Sequence, residues 1–253
     1  NKNFKWNTDL SFTWSQEQIE SLPTGDLIKE GLFEGQPIRS FYNYKYAGIW
    51  GSDTPEDVLN TYGVKPGWIK IETNEKEDDN GAHKYSEDDR MILGHLNPDY
   101  IVGLNNSFKY KDFDLSVFAM ARYGQTIESD LIGWYTAKES TSVNQPRGID
   151  YWTVNNQNAY YPVPGSGDEQ NVMPALKFRD GSFIKVKNIT LGYSLPKTVL
   201  QKTFLENCRL YVTGYNPYVF VKDAQLKGTD PESNGSDSFP LYKQFVFGVN
   251  INF

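Results

Sequence analysis

Apolar and polar side chains take turns along this chain. From Phe4 to Ser15 the even positions read Phe4, Trp6, Thr8, Leu10, Phe12 and Trp14, and the odd ones Lys5, Asn7, Asp9, Ser11, Thr13 and Ser15. A period of two belongs to a β-strand with one apolar and one polar face. Tyr100 to Tyr110 and Phe113 to Tyr123 repeat the pattern, and the link between them, Lys111-Asp112, is short enough to predict a direct hairpin. The last ten residues place Phe245, Phe247, Val249, Ile251 and Phe253 on one side, with Gln244, Gly248, Asn250 and Asn252 on the other. Less regular stretches at Pro37–Ile49, Ser182–Leu195 and Arg209–Tyr218 bring the expected total to seven strands. In Ser182–Leu195 the apolar phase slips from Ile184 and Val186 to Ile189, Leu191 and Tyr193, which predicts a β-bulge near Lys187.

The connections alternate between short and long. After Tyr110 the chain turns in two residues, and after Leu195 a stretch opened by Pro196 reads as a helical turn. After Ile49, Tyr123 and Tyr218 the loops are long, polar and rich in Gly, Pro and aromatics. Loops of that length are uncommon in compact domains and are usually functional. Aromatics collect near strand ends, at Trp6, Trp14, Tyr42, Tyr44, Tyr46, Tyr110, Tyr123 and Tyr193, as an interfacial girdle requires. Two architectures fit: a soluble β-sandwich, such as a carbohydrate-binding module, and a transmembrane barrel wall. Strands of about 10 residues match a membrane crossing better than the shorter sandwich mode.

Composition narrows the classes. The chain of 253 residues carries a net charge of −7, which disfavours nucleic acid as a partner. No run approaches the roughly 18 apolar residues of a membrane helix, although alternation hides a barrel from such a count. A single cysteine, Cys208, excludes an internal disulfide and reads as structural. The opening NKNFKWNTDLSFTW lacks a signal-peptide pattern and reads as an interior start.

Several blocks resemble one family in its own order: YAGIW (Tyr46–Trp50), PGWIKI (Pro66–Ile71), Ser86–Phe118, DGSFIKVKNITLGYSLPK (Asp180–Lys197), RLYVTGYNPYVF (Arg209–Phe220), GTDPE (Gly228–Glu232) and FPLYKQFVFGVNINF (Phe239–Phe253). They are similar to the C-terminal third of SusC/RagA-type TonB-dependent outer-membrane transporters. The resemblance implies an all-β, antiparallel transmembrane barrel of twenty-two strands, of which residues 1–253 supply about seven with long extracellular loops. The plug domain and N-terminal strands lie outside this chain. It further implies a Gram-negative outer-membrane location, a SusD-like surface lipoprotein as lid, and import of oligosaccharides or peptides energised through TonB. On this reading Phe245, Phe247, Val249, Ile251 and Phe253 face lipid. Counting seven crossings back from Phe253 then puts Asn1 on the extracellular side and predicts that the chain starts in an outer loop.

Candidate chemistry is sparse. Trp50, Trp68, Trp134, Tyr135, Trp152, Tyr160 and Tyr161 fall in the expected outer loops, where exposed rings stack on sugars or seat a lid; packing of the loops on one another is the alternative. The acidic run Asn74–Arg90 resembles a family stretch similar to a calcium loop. A calcium ion on Asp78, Asp79, Asp88 and Asp89 is the one cofactor considered, against a solvated loop braced by its own hydrogen bonds. His83 and His95 form no zinc motif, and no nucleophile or nucleotide motif is present, so no enzyme is expected. GTDPE reads as a structural turn.

Overall fold

The computed structural model describes residues 3–74, 83–135, 147–165 and 170–253, leaving aside the side chains of Trp134 and Tyr135. Among the described residues twelve strands follow in chain order: β1 (Phe4–Trp14), β2 (Ser40–Asn43), β3 (Tyr46–Ile49), β4 (Ile69–Ile71), β5 (Met91–His95), β6 (Tyr100–Tyr110), β7 (Phe113–Tyr123), β8 (Thr126–Glu128), β9 (Phe178–Asp180), β10 (Phe183–Ser194), β11 (Asn207–Val221) and β12 (Gln244–Asn252). Short helices α1 (Glu56–Tyr62), α2 (Asp130–Tyr135) and α3 (Lys197–Leu200) lie between them.

The long strands form one antiparallel sheet in the order β1-β6-β7-β10-β11-β12. Its register aligns the apolar positions into rows. One row runs Trp6, Phe108, Leu115, Leu191, Val212, Phe247, and the next Phe4, Tyr110, Phe113, Tyr193, Leu210, Val249. The expected hairpin forms, with Lys111 in the left-handed conformation (φ 53°) in place of the usual glycine. The bulge also falls where the phase slip puts it, since β10 shifts register between Val186 and Asn188 against both β7 and β11. With Lys187 as the extra residue, Ile184 and Val186 stay on the same face as Ile189 and Leu191. Across from it, β11 carries Asn216 at φ 50° and Pro217, which has no N–H to offer a ladder that is interrupted there.

Two expectations are corrected. The sheet has six strands, not seven, because Pro37–Ile49 does not cross with the rest. Arg39 takes φ 63°, the strand breaks at Tyr44-Lys45, and its halves pair separately, β2 with β5 and β3 with β4. An even count returns β1 to the end where β12 finishes. Asn3 accepts a hydrogen bond from Lys111 N (3.0 Å), so the chain enters the sheet at the short-turn end, not at the long-loop end. A sandwich does not form: among the described residues no second sheet covers the apolar face, and Phe247 stays 80% exposed.

The hydrophobic core lies outside this sheet, in the packed long loops. Tyr44, Ile69, Ile71, Ile127, Ile132, Val172, Ala175, Leu176 and Leu226 cluster there, fully or almost fully buried. Deleting Lys187 should move every side chain on one half of β10 to the opposite face. The expected result is loss of the heat-modifiable folded band on gels, whereas Lys187→Ala should keep it.

Candidate functional site

The non-apolar face of the sheet and the loop layer above it carry the charged groups. On β10 the bulge puts Lys185 and Lys187 within reach of the same loop. Lys185 is fully buried. Its Nζ donates to Asp230 Oδ2 (2.5 Å) and Glu232 Oε2 (2.5 Å), and Lys187 Nζ donates to Glu232 Oε1 (2.7 Å). Asp230 also accepts from Glu232 N (3.1 Å), capping the short helical turn at Pro231–Ser233. GTDPE is therefore the acidic half of a clamp whose basic half is the Lys-x-Lys of DGSFIKVK. Burial alone would raise the Glu232 carboxyl, but the hydrogen bonds from Lys185 and Lys187 prevail and hold it below its ordinary value of 4.5.

Neighbouring motifs brace the same corner. Arg179 binds Asp223 through two parallel bonds of 2.8 Å with both side chains largely buried. Asp180 accepts from Ser182 N (2.9 Å) and pairs with Lys222 (2.6 Å). Burial pushes the Asp180 carboxyl up, yet Lys222 and Ser182 bring it below its usual range. A Cβ at Gly181 would run into Ile127 and Gln125, so the glycine of DGSF is a packing requirement. Lower on the same face Arg209 donates to both oxygens of Asp114, reaching across Gly192, where a Cβ would collide with both partners. Two clefts open beside these ion pairs. One of about 540 Å³ is lined by Asn216, Val219, Leu226, Asp230 and Ser236, and another of about 590 Å³ by Lys45, Tyr46, Arg179, Lys222 and Asp223.

The candidate aromatics divide. Trp50, Trp152 and Tyr161 are buried, contrary to their expected exposure, because loops of this length bury apolar surface against one another. Trp50 Nε1 donates to Tyr85 Oη (3.0 Å), and burial pushes the Tyr85 hydroxyl up to about 12. Gly67 of PGWIKI, at φ 87°, leaves room for the Trp152 ring. Trp68 and Tyr160 are half-buried; Trp134 and Tyr135 end α2, and their side chains lie outside the described residues. Asp78 and Asp79 also lie outside them, while Asp88 is exposed. The carboxylate of Asp89 is committed to its own chain segment and its neighbours: Oδ2 accepts from Ser86 N (2.9 Å) within the turn, and Oδ1 accepts from Asn74 N (3.1 Å) and meets His83 Nε2 (3.3 Å) outside it. Phe245, Phe247, Val249, Ile251 and Phe253 line the exposed apolar face and its end, from 46% to 84% exposed.

Comparison with known proteins places this geometry. TonB-dependent receptor P3 of Formosa agariphila is 32% identical over 286 aligned residues, covering 100% of this chain and 27% of that protein. Over its whole length the chain is similar to TonB-dependent receptors. TonB-dependent receptor SusC of Bacteroides thetaiotaomicron is 25% identical across 100% of this chain and 25% of its own length. The RagAB peptide transporter superposes with a TM-score of 0.76 at 21% identity, covering all of this chain and 28% of that one. No protein-family model matches. The chain thus spans about a quarter of the length of the curated relatives it matches, and its open sheet is a portion of the C-terminal wall of a transmembrane β-barrel. These relatives are receptors and transporters, not enzymes.

Replacing Lys185 by Met should leave two half-buried carboxylates facing each other with Lys187 alone to offset them and cost about 3 kcal/mol, read as a lowered unfolding midpoint. For Glu232 the folded value lies below 4.5, so the clamp's contribution is complete above that pH and is lost as pH falls through the lower folded value. Hydrogen exchange of residues 227–236, corrected for intrinsic rates, should rise on acidification below pH 4.5, and Glu232→Gln should abolish the rise.

Proposed function

We propose that this chain is barrel wall and extracellular loop layer of an outer-membrane importer of oligosaccharides or peptides, energised through TonB. The observation that carries the reading is the segregation of the sheet. Apolar rows run in register across the strands on one face, interrupted only where Thr8 faces Asn106 among the described residues, while the other face holds Asp9, Asn105, Thr190, Arg209 and Asn250. In a barrel wall the first face meets acyl chains, at Phe245, Phe247, Val249, Ile251 and Phe253, and the second meets the water of the passage. Both sheet edges, β1 and β12, require further strands, because open edges are not tolerated in hydrocarbon. The remaining strands and the plug belong to the rest of the transporter, which also carries the connection to TonB.

The long-loop end is extracellular on this reading, as longer loops are in such barrels. Half-buried Trp68 and Tyr160 are the described aromatics we assign to contact with cargo or a SusD-like lipoprotein lid, and Trp134 and Tyr135 are candidates from the sequence alone. Buried Trp50 and Tyr161 stand beside the described pair: Trp50 N donates to Trp68 O (2.8 Å), and the Tyr160 and Tyr161 rings meet edge to face at 4.9 Å. The peptide transported by the RagAB neighbour and the glycans that stacking aromatics favour are the two cargo classes. A calcium ion remains a proposal for Asp78, Asp79, Asp88 and Asp89.

Growth of a strain lacking the transporter, on a panel of glycans and peptides as sole nutrient, tests the activity; undiminished growth on every member would exclude it. Val249→Arg should destabilise the folded barrel by up to about 2 to 4 kcal/mol according to depth. Asn250→Arg should cost far less, both measured by unfolding from liposomes. Cysteine labelling on intact cells should reach a cysteine at the exposed Asp237 and miss one at Lys111; the reverse result would invert the topology.

A further inference from the structure

The cleft of about 590 Å³ stands at the head of β7, β10 and β11, which are all inner strands of the sheet. Each has both of its neighbours within this chain, so no missing strand of the barrel abuts it. Register places the mouth of the cleft. Tyr123 lies in one row with Tyr100 and Trp14, the aromatic row at the long-loop end of the apolar face. Lys222 follows Tyr218 and Phe220 on that face, with its ammonium 4.7 Å from the centre of the Tyr123 ring. Tyr123, Lys222 and Lys45, each about half exposed, form the mouth, and buried Tyr44, Gln125, Ala175 and Ser182 form the floor.

The charges of the cleft come in neutral pairs. Lys222 Nζ pairs with Asp180 (2.6 Å), Lys45 Nζ with Glu72 (2.9 Å), and Arg179 with Asp223. No net charge is left over to hold a phosphate. What is left over is hydrogen-bonding capacity of both kinds. Each of the two ammonium groups carries three protons and meets one carboxylate. Asp180 Oδ1 accepts from Ser182 N (2.9 Å) and keeps lone-pair capacity, and at the floor Gln125 Nε2 donates to Gly181 O (2.8 Å), leaving Oε1 without a partner among the described residues. Spare donors beside spare acceptors suit hydroxyl groups, which are both at once. The exposed Tyr123 ring adds an apolar face for the C–H side of a sugar.

Level decides the source of that sugar. The mouth stands at the aromatic row, on the side to which Tyr123 and Lys222 project, so it opens to the headgroup layer and not to the passage. Below Tyr123, β7 carries Ala121 and Ala119, small beside Val102 and Ile184 in the neighbouring strands, which leaves a shallow track for an acyl chain.

We propose that this cleft binds an uncharged sugar of an outer-leaflet glycolipid whose acyl chain lies against the apolar face below Tyr123. The inference rests on the reading above that this face meets lipid and that the long-loop end is extracellular. Sugar hydroxyls accept from Lys45 and Lys222 and donate to Asp180, while the Tyr123 ring packs against the sugar.

The test uses the intact transporter in phosphatidylcholine nanodiscs, offered radiolabelled glucosyl-diacylglycerol, phosphatidic acid or free glucose. The glycolipid is expected to be retained at least about tenfold better than phosphatidic acid, and free glucose not at all. Tyr123→Ala and Lys222→Met, at half-exposed side chains, should lower that retention about tenfold while the heat-modifiable folded band persists. If both variants lose the band, Lys45→Ala, outside the sheet, carries the same expectation. Phosphatidic acid retained as well as the glycolipid, free glucose bound as well, or retention indifferent to the substitutions would each overturn the proposal. Quenching by brominated lipid of a fluorophore at Leu191→Cys, in a Cys208→Ala background, separates the failures. Quenching without glycolipid retention sinks the cleft alone, and no quenching sinks the lipid assignment beneath it.

Discussion

Strict alternation of faces along a strand constrains everything else in this chain. A single residue out of phase would turn half of a strand's apolar side chains onto the polar face and its polar ones onto the apolar face. The six strands satisfy the rule because β10 carries an extra residue at Lys187, matched on β11 by Asn216 and Pro217. The irregularity also does electrostatic work. It brings Lys185 and Lys187 to the same loop, so the place where the ladder is interrupted is also where the last long loop is tied down.

That tie explains why a lysine is tolerated with no solvent exposure. A buried ammonium needs full compensation, and two carboxylates at 2.5 Å provide it, one of them shared with Lys187. The four charges sum to zero. Arg179 with Asp223 and Asp180 with Lys222 repeat the arrangement on the next strands, so the loop layer sits on the wall through ion pairs at its base and a hydrophobic cluster above them. The wall contributes little to that core. Its apolar surface is outward, and its stability in isolation falls to backbone ladders and cross-strand pairs.

Glycines mark where side chains cross the polar face. Arg209 reaches Asp114 only because Gly192 leaves the path clear, and the Tyr211 ring lies over Gly248. These positions keep the inner face shallow while letting long side chains lie along it. The polar spot at Thr8 and Asn106 is the exception on the opposite face.

The sequence alone determined what depends on neighbours two residues apart. The all-β class, the strand limits of β1, β6, β7 and β12, the hairpin at Lys111-Asp112, the turn after Pro196 and the bulge at Lys187 are all legible as alternation or its interruption, and the family blocks were visible in order. The tertiary structure decided what depends on residues far apart in sequence. Pro37–Ile49 looked like a strand of the sheet and became two short ribbons in the loop layer, which changed the strand count and the end at which Asn3 lies. Trp50, Trp152 and Tyr161 looked exposed and are core, because loop-on-loop packing leaves no periodic signature. The clamp was half visible, as Lys-x-Lys on one strand and Asp-x-Glu in a loop, but nothing local says that residues 45 positions apart will meet. Alternation records only which face a side chain takes; which partner it finds there is fixed by the closure of long loops.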